Sequence, residues 1–212
     1  GAAVPELKRR NRGPPPTVAY GTAAMKALVV CAHPRDDSFT HAAVAAAVRG
    51  CERAGHEVTV LDLYALDFRP AMSLAEHRAY HHDQALLDPM TIEHAELVRT
   101  HEMLVFVYPT WWSSLPAMLK GWLERVMVPG VAFRLEGGRV RPALTHVRRI
   151  VGISTYGSPW TVVKLLHDSG RRTLVRALRM SCGPGTSTTW LGFYSTDTAG
   201  AGGRAAFPLP LE

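Results

Sequence analysis

The sequence predicts an α/β fold in which a parallel sheet carries helices on both faces. Three observations predict it. Short, largely apolar runs at 26–32 (KALVVCA), 103–108 (MLVFVY) and 147–154 (VRRIVGIS) have the length and composition of strands buried between two layers. Stretches with helical spacing separate them, and strand–helix alternation along a chain builds a parallel sheet. Each of these runs also ends in a loop of polar or aromatic residues, as at the carboxyl edge of such sheets, where ligands bind.

Size and composition fit one soluble domain. The chain has 212 residues, 47% hydrophobic and 20% charged, enough for a single substantial core and short for two. No apolar run approaches the roughly 20 residues of a membrane-spanning helix. Lys8, Arg9, Arg10 and Arg12 lead into Pro14, Pro15 and Pro16 and not into an apolar segment, so no secretory signal is read there. We therefore expect a cytoplasmic protein with no membrane insertion. Residues 1–24 are expected to be a flexible leader or an arm added by cloning, with Met25 as the natural start. Residues 25–200 form the domain, and 201–212 an irregular tail whose final Leu211 and Glu212 look like a cloning remnant.

The three cysteines, Cys31, Cys51 and Cys182, are an odd number without metal-type spacing, and read as reduced packing residues. A formal net charge of +6 is spread along the chain and partly sits in the N-terminal arm. It predicts attraction of anionic cofactors, not nucleic-acid binding.

The elements follow in order. Lys26 to Ala32 is a central strand, followed by His33-Pro34, a polar turn, and Ser38 as N-cap of an Ala-rich helix from His41 to Ala54. Strand, loop and helix N-terminus can cradle a phosphate, although the same residues also make a plain helix cap. Gly55 ends the helix and Glu57 to Leu63 is the second strand. Tyr64 to Thr91 is irregular. His77 and His81, four apart, with Asp83 nearby, lack an anchoring cysteine or a second spaced pair, so a partly exposed helix is read there and no metal site. A helix over Thr91 to His101 delivers the chain into the central strand, Met103 to Tyr108, which Pro109 stops.

The loop from Pro109 to Ser114 holds Trp111 and Trp112, which as neighbours cannot both face one core. From Pro116 a helix places Met118, Leu119, Trp122, Leu123 and Val126 inward, with Lys120, Glu124 and Arg125 toward the other side. A hairpin turning on Gly137-Gly138 comes next, then the strand ending at Ser154. Lys164 to Met180 is read as a basic helical region with Arg171, Arg172, Arg176 and Arg179. Thr186 to Tyr194 closes the sheet as an edge strand.

The segment YPTWWSSLPAMLKGWLERV closely resembles the flavin-contacting segment of the flavodoxin-like NAD(P)H:quinone oxidoreductases. That group includes the modulator-of-drug-activity and potassium-efflux ancillary proteins. The match rests on Pro109, Trp111 or Trp112, Leu115, Pro116, Leu119, Lys120, Trp122, Glu124 and Arg125. Ala32, His33, Pro34, Ser38, Phe39 and Thr40 match the family's first loop, and Ser154, Thr155, Tyr156 and Gly157 its later one. The absence of Gly-x-Gly-x-x-Gly after the first strand separates the chain from dinucleotide-binding Rossmann domains.

The resemblance implies a flavodoxin-like five-stranded parallel sheet in the order 2-1-3-4-5. It implies FMN or FAD, without choosing between them, held by His33, Ser38, Phe39 and Thr40 at the phosphate end. Pro109, Thr110, Trp111, Trp112 and Ser113 would face the ring's N5 and O4 side, and Ser154, Thr155, Tyr156 and Gly157 its N1 and O2 edge. NAD(P)H would be the co-substrate, passing hydride through flavin N5 to a quinone or similar acceptor in ping-pong order. Relatives carry a substrate-polarising Tyr and His, for which Tyr156 and His167 are the catalytic candidates. Trp160 and His167 also read as ordinary helix residues. A homodimer contact is expected near Tyr64 to Pro89. The alternatives are a flavin-binding regulatory subunit of a potassium-efflux system and a one-electron flavodoxin, whose T-x-T-G-x-T loop this sequence lacks.

Overall fold

The computed structural model describes residues 23–80 and 85–198. The expectations for residues 1–22 of the leader, for the tail 201–212, and for His81 and Asp83 lie outside these residues. A five-stranded parallel sheet forms from β1 (Lys26–Cys31), β2 (Glu57–Asp62), β3 (Met103–Pro109), β6 (Arg149–Thr155) and β7 (Ser187–Phe193). Its order is β2-β1-β3-β6-β7. With the hairpin strands β4 (Phe133–Glu136) and β5 (Arg139–Pro142) set aside, this is the expected order 2-1-3-4-5.

Strand alternation divides the core in two. Successive side chains point to opposite faces, so Ala27, Val29 and Cys31 of β1 join Val105, Val107, Val151 and Ile153 on one side. There they meet Ala43, Val44 and Ala47 of α1 (Phe39–Arg53). Leu28, Val30, Leu104, Phe106 and Tyr108 point the other way, onto Ala95 and Val98 of α3 (Pro89–Thr100) and Leu119, Trp122 and Val126 of α4 (Ala117–Val126). All seven residues of β3 are buried, as expected for the middle of such a sheet.

Four local expectations are corrected. Arg125 does not point outward: it is 4% exposed. Its Nε donates to Glu76 Oε1 at 2.8 Å and its Nη2 to Asp88 Oδ2 at 3.0 Å, so carboxylates from two other segments draw the guanidinium inside. Glu76 belongs to α2 (Leu74–Ala79), a short helix with a Ser73–Glu76 capping box inside the region expected to be irregular. α3 starts at Pro89 under an Asp88 cap, ahead of the expected Thr91.

The fourth correction concerns the basic helix. It is interrupted: α5 (Trp160–Leu165) ends before His167 and Asp168, which take left-handed φ values of 62° and 41°. The chain then restarts as α6 (Ser169–Arg172) and runs into a π-helical turn, Thr173–Leu178. The hairpin is as expected, with Gly137 and Gly138 both at positive φ between paired Glu136 and Arg139.

Candidate functional site

The site grows from the carboxyl ends of β1, β3 and β6, which are neighbours in the sheet. The loop after β1 turns on His33, whose Nδ1 lies 3.1 Å from both the amide and the carbonyl of Arg35. Burial lowers the His33 pKa from its ordinary value, which favours the neutral ring. Ser38 Oγ accepts from the His41 amide at 3.2 Å and caps α1. Phe39 stacks on Phe193 of β7 with ring centroids 4.9 Å apart, and Thr40 is buried.

The loop after β3 is pinned to β6. Thr110 N–H donates to Thr155 O at 2.8 Å, and the hydroxyls of Thr110 and Ser154 also lie 2.8 Å apart. Trp111 and Ser114 then exchange backbone hydrogen bonds across a tight turn. Its two central residues, Trp112 and Ser113, have φ of 48° and 58°. A bulky aromatic residue at positive φ is uncommon and costs on the order of 1–3 kcal/mol. The turn leaves the Trp112 side chain 100% exposed. Trp111 is 43% exposed and its ring centroid is 6.0 Å from that of His33, so loops far apart in sequence meet here. The amides of Thr110 and Trp111 are already engaged within the protein.

After β6, Tyr156 N–H donates to Phe193 O at 2.7 Å, and the ring packs face to face on Tyr194 at 4.6 Å. The Tyr156 hydroxyl donates to Asp168 Oδ2 at 2.8 Å. Burial first, then the Asp168 charge and hydrogen bond, push the Tyr156 pKa upward and keep the phenol protonated. The Asp197 carboxylate fills the space beside Gly157, where a Cβ would come within 2.2 Å of it.

The loops after β3 and β6 line a cleft of about 250 Å³ with Thr110, Trp112, Ser113, Tyr156 and Gly157, joined by Asp168 and Asp197. Ser154 is 1% exposed, and its hydroxyl meets that of Thr110, which lines the cleft. His33, Ser38, Phe39, Thr40 and Trp111 gather around the neighbouring start of α1, and Pro109 is the buried end of β3. His167 lines an adjoining basic cleft of about 610 Å³ with Trp160, Lys164, Arg171, Arg172 and Arg176, which shares Asp168 with the first. Asp168 and Asp197 were not found from the sequence. A non-glycine cap at positive φ leaves no pattern, and Asp197 enters only by folding back against Gly157.

The arrangement fits a flat aromatic ligand with an anionic tail. An exposed indole sits beside a polar cleft, and two carboxylates there repel anions. An anionic tail is favoured at the other end, on the dipole of the 15-residue α1.

Residues 25–179 match the family model described as flavodoxin-like fold. The chain belongs to the flavodoxin-like fold family. This flavodoxin-like chain is 32% identical over 151 residues to NAD(P)H dehydrogenase (quinone) 1 of Cavia porcellus, covering 64% of the chain and 55% of that protein. It is 36% identical over 153 residues to ribosyldihydronicotinamide dehydrogenase (quinone) of Pongo abelii, covering 64% and 65%. The chain therefore spans less than two thirds of the length of these curated relatives. Among solved structures, the NAD(P)H:quinone oxidoreductase from Methanothermobacter marburgensis superimposes with a TM-score of 0.72 at 25% identity, over 89% of this chain and 93% of that one. Among the described residues no helix is long and apolar enough to cross a membrane.

Proposed function

We propose that this flavodoxin-like chain binds a flavin, FMN or FAD, and uses it for NAD(P)H-dependent reduction of a quinone-like acceptor. One observation carries the proposal: the fully exposed Trp112, strained at positive φ, stands on the rim of a cleft lined by the loops after β3 and β6, and the loop after β1 meets the first of these where His33 lies beside Trp111. Relatives named as quinone dehydrogenases support the reaction class.

When bound, the flavin supplies two-electron transfer between nicotinamide and acceptor. The protein's own task is to hold and orient. Trp111 and Trp112 offer aromatic faces, and Trp112 and Ser113 line the cleft. His33, Ser38 and Thr40 sit at the α1 end, where the tail is held. Tyr156, its one hydroxyl hydrogen given to Asp168 and its phenol kept protonated, shapes the cleft and is not a base. Lys164, Arg171, Arg172 and Arg176 supply positive charge for the nicotinamide dinucleotide's phosphates, with His167 among them. Exposed Trp160, Leu165 and Leu166 near that cleft support a homodimer that covers the open side.

The test is to release and identify the cofactor by mass spectrometry, then to follow NAD(P)H oxidation with menadione. Flavin and turnover together support the proposal. Flavin without turnover supports the regulatory-subunit alternative, and a colourless protein that rejects both flavins overturns it.

A further inference from the structure

We propose that Cys31, His41 and Asp62 form a binding site for one zinc-class divalent cation at the end of the β1–β2 pair. The site does not rest on the flavin proposal, although Ser38 at the α1 end serves both. Cys31 ends β1, Asp62 ends β2, and the two are directly paired across the strands. His41 comes down on them from the first turn of α1. Its Nε2 lies 2.7 Å from Asp62 Oδ2 and 3.8 Å from Cys31 Sγ, and all three donor atoms lie within 4.8 Å of one another.

A zinc ion sits roughly 2.3 Å from sulfur and about 2.0–2.2 Å from nitrogen and oxygen, so tetrahedral ligands stand roughly 3.2–3.6 Å apart. From 2.7 Å the His–Asp pair has to open by about half an ångström, from 3.8 Å the Cys–His pair has to close by a few tenths, and the Cys–Asp pair, within 4.8 Å, closes by up to about 1.2 Å. Outer contacts already orient two of the ligands. His41 Nδ1 is 3.1 Å from Ser38 Oγ, which leaves Nε2 for a metal. Asp62 Oδ1 accepts the amides of Tyr64 at 3.1 Å and Ala65 at 3.2 Å, which leaves Oδ2.

Cys31 is fully buried, while the His41 and Asp62 side chains are 20% and 25% exposed. Protein donors thus occupy one side, and the fourth position opens toward water, as in zinc sites that keep an exchangeable ligand. The mixed sulfur, nitrogen and oxygen set suits zinc and cobalt over magnesium or calcium. On binding, the Cys31 S–H bond breaks and its proton passes to solvent, the proton between His41 Nε2 and Asp62 shifts to Nδ1 where Ser38 Oγ accepts it, and sulfur–metal and nitrogen–metal bonds form with no change of oxidation state. Thiolate and carboxylate together neutralise the divalent charge. A His–Asp hydrogen bond alone would not call for a thiol facing the same nitrogen. Among the described residues, no other such trio of donors is found.

The test uses the full chain, stripped with a chelator and titrated with Co²⁺. The expected result is a near-ultraviolet thiolate-to-cobalt charge-transfer band that saturates at one equivalent and disappears on adding Zn²⁺. Cys31→Ser should remove the band, and Cys182→Ser should leave it. Because serine in the buried β1 position can unfold the chain, His41→Gln is the second variant, with affinity for Co²⁺ expected to fall at least tenfold. No band in the wild type, a band that survives Cys31→Ser, or undiminished affinity in folded His41→Gln overturns the site.

Discussion

The Tyr156 hydroxyl donates to Asp168 at 2.8 Å and so ties the loop after β6 to the left-handed break between α5 and α6. Asp168 also accepts the Arg171 amide at 3.2 Å. Tyr156→Phe keeps the ring stacked on Tyr194 but removes the charged hydrogen bond. The variant should lose about 1.5–3 kcal/mol of unfolding free energy in urea. An unchanged midpoint would mean that the Tyr156–Asp168 bond contributes nothing.

His33→Ala and Trp111→Ala should each weaken flavin retention, because their rings meet where the first and third loops join. Fluorescence titration of the stripped protein with FMN and FAD measures it. Wild-type affinity in both variants would show that the ligand lies elsewhere.

Trp112→Gly removes a side chain that is fully exposed and frees a φ of 48°. Stability should rise by about 1 kcal/mol while ligand affinity falls. Loss of stability on thermal unfolding would count against strain at this turn.

Arg125→Met should cost about 3–5 kcal/mol, since it leaves Glu76 buried without its partner. Burial alone would raise the Glu76 pKa, but hydrogen bonds from Arg125 and Ser73 outweigh it and hold it below the ordinary 4.5. A depressed carboxylate stabilises the fold above its unfolded pKa and loses that contribution as pH falls through the folded value. Wild-type stability should therefore drop below about pH 4.5, and more steeply than that of Arg125→Met. Parallel pH profiles would contradict the assignment.

Gly121→Ala should destabilise by about 1–3 kcal/mol or more. A methyl group there would come within 2.2 Å of the Pro70 carbonyl, where backbone and not a flexible side chain must yield. A thermal midpoint equal to wild type would show that the 64–73 segment shifts freely off α4.

Much of the fold was legible because its signals are local. β1 and β3 announce themselves as apolar runs, Ser38 as a cap, and Gly137-Gly138 as a turn. The candidate site was legible where loop residues stand near strand ends, as with Trp112, Ser113, Tyr156 and Gly157. What depends on distant partners was not. Arg125 looks like a surface charge until Glu76 and Asp88 arrive, and the break at His167 and Asp168 uses no glycine or proline to mark it. Cys31, His41 and Asp62 come from three elements, and no spacing along the chain relates them.

The turn at Trp112 also provides an optical gauge. Trp122 is sealed in the core and Trp111 and Trp160 are partly shielded, whereas the Trp112 indole stands wholly in water. A collisional quencher should reach it first, and its red-shifted emission should move when a ring settles against it, reporting occupancy without any attached dye.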